Sequence, residues 1–332
     1  MVTIKDVARK AKVSIATVSH VLSGSGRIGE KTRERVKRAA AALDYRPNLI
    51  ARSLKSRRTH TIGMVISDIT NPFFPEVVRG AEDAATARGY LLSTFNTDDR
   101  PERERQVFKV LHTRRMDGVL LVVALERGPI PHVEETVESG TPVVCLDRRP
   151  QGLAADTVMV DNAAGVRLGV AHLIERGHRR IAYIGGAPSM YIAPERLRGY
   201  VSAMSAAGLP ARIVHGDFRR ESGHRAALEL LTSKERPDAL FVANLLMTVG
   251  ALEAARSLSL STPQHFGLVT FDSVALLSGF GPDLTTVVQP TYELGYQGAN
   301  LLLDRIEGER KSAPVVIKLP CQLKVGDSSR PR

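Results

Sequence analysis

The sequence predicts an all-α helix-turn-helix headpiece followed by an α/β core made of two doubly wound parallel-sheet lobes. Residues 3–22 contain two short helical patterns separated by a tight turn. From residue 61 onward, apolar runs of strand length alternate with helical runs, which is typical of parallel sheets covered by helices. Because the alternation runs through the chain twice, we expect two lobes with a cleft between them.

The headpiece pattern begins with a helix-capping signal. Thr3 and Asp6 have the spacing of a capping box, and Ser14 is a good N-cap for a second helix after the Lys12–Val13 turn. A third helix is predicted over 31–43. The second helix has an inward face and an outward face, with Val18, Val21 and Leu22 inward and Ile15, Ala16, Thr17 and His20 outward. In a helix-turn-helix, the second helix lies in the DNA major groove.

The distribution of charge supports nucleic-acid binding independently. Residues 1–60 hold 15 Lys and Arg against 4 Asp and Glu, and this excess equals the formal net charge of +11 of the whole chain. The same region has Gly24, Gly26 and Gly29 at the spacing of a dinucleotide-binding fingerprint. A helix rather than a strand precedes these glycines, so we reject a dinucleotide site there.

Five stretches match, in order, the headpiece pattern of the LacI/GalR family of bacterial transcription repressors. They are TIKDVA, VSIATVSHVL, KTRERV, LDYRPN and ARSLK. The chain resembles this family, and the similarity continues through most of its length. The resemblance implies a homodimer that binds a pseudo-palindromic operator in double-stranded DNA, one headpiece on each half-site. It assigns DNA binding to Thr3, Ser14, Ile15, Ala16, Thr17, Ser19, His20, Asn48, Ser53, Leu54 and Lys55.

The segment after the headpiece resembles the family's hinge helix. We place the headpiece at 1–46 and the hinge helix with its linker at 47–60. Asn48 can cap a helix over 49–55, which is too short to be stable alone. The resemblance implies that this helix folds when it pairs across the dimer on DNA. Leu54 then stands where the family inserts a leucine wedge into the minor groove, and Lys55 where it contacts bases.

The core is predicted over 61–332. The resemblance gives it a periplasmic-binding-protein-like fold, in which the chain crosses between the lobes three times. We place the crossings near Asp161–Asn162, Gln289–Pro290 and Leu319–Cys321. Lobe 1 then comprises about 61–161 and 290–319, and lobe 2 about 162–289 and 320–332. The second series of strands is expected to begin at Val158–Val160.

Ligands of parallel sheets bind at the carboxyl ends of the strands, so the polar and aromatic residues that follow the predicted strands are candidate effector-binding residues. They are Asn71, Phe73, Phe74, Asp147, Arg148, Arg196, Phe218, Asn244, Asp272 and Gln289. Aromatic rings can cover the C–H face of a sugar, while carboxylates, amides and guanidinium groups bind its hydroxyl groups. The set therefore suits a small polyol.

The same residues are similar, position by position, to the pocket of bacterial ribose-binding proteins. Two departures are Leu245, where that pocket often has an aspartate, and Val123–Ala124, where it has a polar residue. A pentose or a related sugar is therefore the leading expectation, and a sugar phosphate, a nucleoside or a purine is the alternative. Against a purine, Asp147 replaces a tryptophan of the purine-binding branch, and Met190 and Ile192 replace its polar contacts.

The rival class of protein is an α/β enzyme fused to a DNA-binding head. No nucleophile elbow, phosphate-binding loop or zinc-peptidase motif occurs, and the 9 histidines do not cluster at metal-ligand spacings. Asp147 and Asp272 could form an acid pair, but Arg148 and Arg196 are expected to keep both ionised. We therefore expect a regulator without a cofactor or metal.

The remaining expectations concern location and assembly. Charged residues interrupt the N-terminus, so we expect no signal peptide, no contact with a membrane and a cytoplasmic location. Cys145 and Cys321 lie far apart in strand-like runs and are expected to be inert thiols. The last residues contain no leucine heptads of the kind that joins dimers into tetramers, which favours a homodimer.

Overall fold

A computed structural model describes residues 2–22, 27–45, 58–124, 127–272 and 283–331. The chain divides into two compact units, Met1–Thr59 and His60–Arg332. No helix in the described part is long and apolar enough to cross a membrane. The predicted hinge helix, with Asn48, Ser53, Leu54 and Lys55, lies outside the described residues.

The first unit has the helix-turn-helix that the sequence predicts. Its helices are α1 (Ile4–Ala11), α2 (Ile15–Leu22) and α3 (Glu30–Ala41). Val7, Ala11, Val18 and Val36 are completely buried. Helices this short are marginal alone, so the shared apolar core is what stabilises them. Lys12 has a left-handed backbone with φ of 49°, and this conformation turns the chain sharply between α1 and α2.

Both predicted helix caps form. The Thr3 backbone N–H donates to an Asp6 carboxylate oxygen at 3.0 Å, and the Thr17 N–H donates to the Ser14 hydroxyl oxygen at 3.1 Å. Thr17 was expected on the outward face, but it is only partly exposed. The reason is local, since its hydroxyl group shares a 2.8 Å hydrogen bond with that of Ser14.

The second unit alternates strands and helices. The strands are β1 (Thr61–Ile66), β2 (Leu91–Asn96), β3 (Gly118–Leu121), β4 (Val143–Leu146), β5 (Asp156–Val160), β6 (Ile181–Gly186), β7 (Arg212–Gly216), β8 (Ala239–Val242), β9 (Gly267–Phe271), β10 (Thr285–Val288), β11 (Val316–Leu319) and β12 (Gln322–Lys324). The helices are α4 (Phe73–Ala87), α5 (Pro101–Thr113), α6 (Pro131–Glu138), α7 (Asn162–Glu175), α8 (Ala193–Ala206), α9 (Arg220–Thr232), α10 (Leu245–Ser257) and α11 (Thr291–Glu307). A 3₁₀ turn follows at Asp327–Ser329.

The strands form two six-stranded sheets, one in each lobe. Their orders are β11-β5-β4-β3-β1-β2 and β12-β10-β9-β8-β6-β7. The strand pairs are parallel except β10 with β12. Strands β3, β4 and β5 are buried along their whole length, as expected for strands covered by helices on both faces.

One strand was placed in the wrong series. The sequence placed Val158–Val160 at the start of the second series, but β5 pairs with β4 and β11 in the first sheet. The chain passes to the second sheet only after β5, comes back after β10 through α11, and passes over again between β11 and β12. Periodicity alone could not reveal this, because a buried strand has the same pattern in either sheet.

Helix α11 is fixed to lobe 1 by glycine contacts with α4. A Cβ atom on Gly80 would lie 2.0 Å from the Tyr292 carbonyl oxygen, and one on Gly295 would lie 1.9 Å from the Val77 carbonyl oxygen. Only residues without a side chain allow the two backbones to approach this closely. The returning segment is therefore an integral part of lobe 1.

Candidate functional site

The ten candidate effector residues all line one cavity of about 400 Å³ between the two lobes. Lobe 1 supplies Asn71, Phe73, Phe74, Asp147 and Arg148, and lobe 2 supplies Arg196, Phe218, Asn244, Asp272 and Gln289. The carboxyl ends of both sheets face this cavity, which is why residues far apart in the chain meet there. Their roles in binding stay predictions.

Three of these residues follow strands in a left-handed backbone conformation. Asp147 comes directly after β4, Asp272 directly after β9, and Phe218 two residues after β7. Their φ angles are 64°, 84° and 64° respectively. Left-handed backbone is uncommon outside glycine, and such strain clusters at functional sites. Here it turns the chain at the strand end, beside the cavity.

Asp147 is a buried carboxylate with incomplete pairing. Its side chain is 4% exposed, and within the described structure its Oδ1 atom has no hydrogen-bond partner. Its Oδ2 atom lies 3.7 Å from the Arg148 Nε atom. Burial raises the pKa of Asp147, Arg148 and Arg196 oppose that rise, and Asp272 adds to it. Desolvation thus outweighs the two arginines in setting the direction of the pKa, while the expectation that they keep Asp147 ionised stays a prediction.

Arg148 is held by contacts within lobe 1. Its Nη1 atom donates to Asp99 Oδ1 at 2.6 Å and to the Val123 carbonyl oxygen at 2.6 Å. Its Nη2 atom donates to the Ser67 hydroxyl oxygen at 3.2 Å. These bonds join the segments after β1, β2, β3 and β4. Most of the donor capacity of this guanidinium group is therefore used in building the cavity wall.

Arg196 is fixed in the same way in lobe 2. It is 2% exposed, and its Nε atom donates to Asn162 Oδ1 at 2.7 Å. Its Nη1 atom donates to the Ala243 carbonyl oxygen. Its guanidinium carbon lies 3.9 Å from the centroid of the Phe271 ring, within the range of a cation–π contact. Asn162 thus positions Arg196, and its neighbour Asp161 caps α7.

The amide and carboxylate groups of lobe 2 form a hydrogen-bonded chain. Asn244 caps α10 by accepting from the Met247 N–H at 3.0 Å, and it donates to the Phe218 carbonyl oxygen at 2.8 Å. Asp272 accepts from the Gln289 side-chain amide. The Gln289 Oε1 atom is buried and has no partner among the described residues. Each lobe therefore has one unpaired buried acceptor on a residue that lines the cavity, Asp147 Oδ1 and Gln289 Oε1.

Two aromatic rings from the start of α4 complete the lobe 1 side. The Phe73 and Phe74 rings pack edge to face with centroids 5.0 Å apart. Both belong to the apolar core of lobe 1 as well as to the cavity lining. The Phe73 N–H donates to Asn71 Oδ1 at 3.1 Å, which orders the turn into the helix.

The sequence reasoning missed ten further lining residues. They are Ser67, Asp68, Thr70, Asp98, Asp99, Arg100, Ile192, Asp217, Arg219 and Leu246. Most could have been found by the same rule, since Ser67 and Asp68 directly follow β1 and Asp98 lies just after β2. The full lining contains six aspartates and four arginines, so its formal charge is slightly negative.

In the headpiece, α2 presents the residues predicted to read bases. Ile15 is 44% exposed, and Ala16 and His20 are also exposed, whereas Val18 and Val21 on the opposite side are buried. Thr3 and Ser14 are exposed as well, while Thr17 and Ser19 are partly exposed. An exposed large apolar residue on a recognition helix suits contact with thymine methyl groups.

A helix-turn-helix unit followed by a two-lobed α/β core with a polar cleft defines a DNA-binding regulator that responds to a small molecule. Comparison with known proteins supports this class of protein. Residues 3–48 match the model for bacterial regulatory proteins of the lacI family, and residues 170–329 match a periplasmic binding protein-like domain.

Two curated relatives and one solved structure align with nearly the whole chain. The HTH-type transcriptional repressor CytR of Escherichia coli (strain K12) is 34% identical over 331 residues, covering 99% of this chain and 96% of that protein. The ribose operon repressor of the same strain is 38% identical over 309 residues, covering 92% and 93%. A structure of the lac repressor dimer bound to operator and the anti-inducer ONPF has a TM-score of 0.86 at 27% identity and 99% coverage of each chain. The chain belongs to the lacI family of bacterial regulatory proteins.

Proposed function

We propose that the protein is a dimeric repressor of a pseudo-palindromic operator and that a neutral polyhydroxylated effector, a pentose or a closely related sugar, controls it from the cleft. The family supports the repressor role. The lac repressor dimer on its operator supports the assembly, and the ribose operon repressor supports the ligand class. The observation that carries the effector proposal is the pair of unpaired acceptors, Asp147 Oδ1 and Gln289 Oε1.

A buried acceptor without a donor costs about 1–3 kcal/mol, so a ligand that donates to it recovers that free energy. Sugar hydroxyl groups are such donors. The two acceptors lie in different lobes, so a ligand that pairs with both prefers lobe arrangements in which both face it. Such differential affinity is what a ligand needs in order to shift a conformational equilibrium.

The charge of the cavity favours a neutral ligand over a sugar phosphate. Six aspartates against four arginines leave no net positive field, the buried Arg148 and Arg196 are already held by Asp99, Asn162 and backbone carbonyl groups, and the other two, Arg100 and Arg219, are exposed to solvent. A phosphate group carries a charge near −2 and needs unpaired cationic donors. The same argument applies to nucleotides, but it does not separate sugars from nucleosides, so the experiment includes both.

The effector class is tested by thermal-shift measurements on the full-length protein. The panel contains D-ribose and other pentoses, hexoses, ribose 5-phosphate, nucleosides and purine bases. We expect stabilisation by a pentose and none by its phosphate. Stabilisation by purines without any by pentoses would contradict the sugar assignment. We call the compound of this panel that stabilises the protein most the hit. Gln289→Leu should weaken binding of the hit, whereas Asp83→Asn, on the surface of lobe 1, should leave it unchanged.

The DNA-binding proposal is tested by selecting duplexes from a random pool and sequencing them. We expect an inverted repeat, because a two-fold dimer places one α2 helix on each half-site. His20→Ala should change the preferred base at one position in each half-site. Lys10→Ala should weaken binding to all sequences and reduce its salt dependence. A selected consensus without inverted symmetry would contradict the proposal that a two-fold dimer binds the operator.

Thermodynamic linkage makes the effects of effector and operator on each other equal in size. If the hit weakens operator affinity by some factor, operator DNA must weaken affinity for the hit by the same factor. We propose release of the operator by the sugar, as expected of a repressor of sugar use. Titrating the hit into the protein–operator complex checks this, and tighter operator binding would instead identify a corepressor.

A further inference from the structure

We propose that Tyr191 of lobe 2, together with Arg127 and Gly128 of lobe 1, forms a latch outside the ligand cavity that holds the two lobes in the arrangement seen here and thereby sets the affinity of the cleft. This inference rests on the proposed effector site in the cleft. The latch itself lies beside the cavity, in the segment between β6 and α8.

The latch segment divides its side chains between the lobes. Met190 and Ile192 are buried in the apolar core of lobe 2. Tyr191, between them, packs against the smaller apolar cluster of lobe 1 that contains Phe108 and Cys145. Among the described residues that pack on that cluster, Tyr191 is the one that lobe 2 contributes. The partly buried ring of one lobe thus packs against the core of the other.

Polar contacts fix the ring in this position. The Arg127 backbone N–H donates to the Ser189 carbonyl oxygen at 3.1 Å, across the lobe boundary. The Arg127 guanidinium carbon lies 6.0 Å from the Tyr191 ring centroid, at the outer limit of a cation–π contact. The Gly128 backbone lies near the Tyr191 hydroxyl group and lowers its pKa. Burial and Glu104 of lobe 1 both raise the pKa of Tyr191, as expected for a ring inside that lobe.

The latch is connected to the effector site through the residues that follow it. Ile192 lines the cavity, and Arg196 lies four residues further along, near the start of α8. Across the cavity, Arg196 of lobe 2 attracts the Asp147 carboxylate, and this attraction outweighs the repulsion by Asp272. The latch adds a contact outside the cavity that favours the same arrangement of the lobes. A protein whose binding-competent arrangement is more populated before binding has a higher apparent affinity for its ligand.

Hydrogen exchange of the full-length protein without ligand tests the latch directly. The Arg127 amide is protected by the bond to Ser189, so its exchange rate reports opening of the lobe boundary. Tyr191→Ala should accelerate that exchange about tenfold, which corresponds to 1.4 kcal/mol. Amides of β3 should be unaffected and show that lobe 1 stays folded. Tyr292→Ala is the matched control, because that ring is 42% exposed and stacks on Tyr296 within lobe 1.

Equal exchange at Arg127 in the parent and in Tyr191→Ala would overturn the latch. If Tyr191→Ala also accelerates exchange in β3, Tyr191→Leu decides, since leucine keeps the apolar contact and loses the hydroxyl and ring contacts. An unchanged Arg127 rate in Tyr191→Leu would then overturn the proposal, and an increase of about threefold would support it.

Calorimetry with D-ribose tests the link to the cleft. We expect about tenfold weaker binding by Tyr191→Ala and parental binding by Tyr292→Ala. Faster exchange with unchanged ribose affinity would overturn the effect on the cleft. If the parent binds neither ribose nor any other pentose of the thermal-shift panel, the effector proposal fails while the exchange data still decide whether the latch exists.

Discussion

Replacing Asp147 by asparagine should stabilise the unliganded protein while impairing its response to the effector. The change keeps the size of the side chain and removes its charge. Asp147 is 4% exposed, has an unpaired Oδ1 atom, and lies near the like charges of Asp272 and Asp99. The carboxylate is therefore retained at a cost to folding, as expected of a group that serves binding.

The magnitude follows from these contacts. Asparagine keeps a polar atom at this position but removes the buried charge, so we expect Asp147→Asn to raise the free energy of unfolding near pH 7.5 by about 1.4 kcal/mol for each tenfold weakening of Asp147 as an acid on folding. For a protein of this size, each kcal/mol raises Tm by about 2 °C. Affinity for the effector should fall about 10- to 100-fold, because a hydrogen bond to a charged acceptor contributes about 1.5–3 kcal/mol.

The sign of the pH dependence is also fixed. Burial raises the folded-state pKa of Asp147 above its ordinary value of 3.8. The stability that the protonated carboxyl contributes is fully present below that value and is lost as pH rises through the folded-state pKa. The parent therefore loses stability relative to Asp147→Asn as pH increases, and the two converge below about pH 3.8.

Urea unfolding of both proteins from pH 4 to pH 8 measures this difference, and calorimetry with the thermal-shift hit measures binding. Glu82→Gln, at an exposed position of α4, serves as the control for loss of one carboxylate from lobe 1. A variant that is less stable than the parent at pH 7.5, or a stability difference independent of pH, would refute the assignment of Asp147 as a strained buried carboxylate.

Three further outcomes are expected. Gly295→Ala should lower the free energy of unfolding by about 3 kcal/mol or more, because its Cβ atom would meet the Val77 carbonyl oxygen at 1.9 Å; a Tm equal to that of the parent would contradict this packing. Cys145 and Cys321 should react slowly with a thiol reagent at pH 8, because burial raises the pKa of each to about 12, and stopped-flow labelling checks the rate. His20→Ala should leave Tm unchanged within about 1 °C, since the side chain is exposed, so any change in its operator preference can be assigned to DNA contacts.

The sequence predicted the elements well because their signals are local. The capping residues Thr3 and Ser14 mark the starts of α1 and α2 within one residue, and the strand-end rule brought residues from 71 to 289 to one cavity. The strand pattern alone grouped β5 with the second series, whereas the lobe boundary near 161 that the family resemblance implies puts it in lobe 1, where it pairs with β4 and β11. The pairing of Arg148 with Asp99 was also out of reach, since it joins two loops that are distant in sequence.

The ionisation of Asp147 shows a deeper limit of sequence reasoning. Neighbouring arginines in the sequence favour the ionised carboxylate, whereas desolvation raises its pKa and depends on how completely the lobes enclose the group. Arg148 directs its bonds to Asp99, Val123 and Ser67 instead of to Asp147. A count of nearby charges therefore gives the wrong direction when the charges already have other partners.

The contacts also distinguish residues that contribute to effector affinity from residues that couple effector binding to DNA binding. Arg148 bonds within lobe 1 and Asn244 within lobe 2, so a change in lobe arrangement leaves their environments largely intact. Asp147 and Gln289 line the cavity from opposite lobes and each carries a buried unpaired acceptor, so their pairing with one ligand requires a lobe arrangement that brings both acceptors to it. A ligand shifts a conformational equilibrium only through interactions that differ between the two states. Coupling to DNA should therefore be lost on changing Asp147 or Gln289, whereas changing Asn244 should weaken effector binding in both states and leave the coupling factor nearly unchanged.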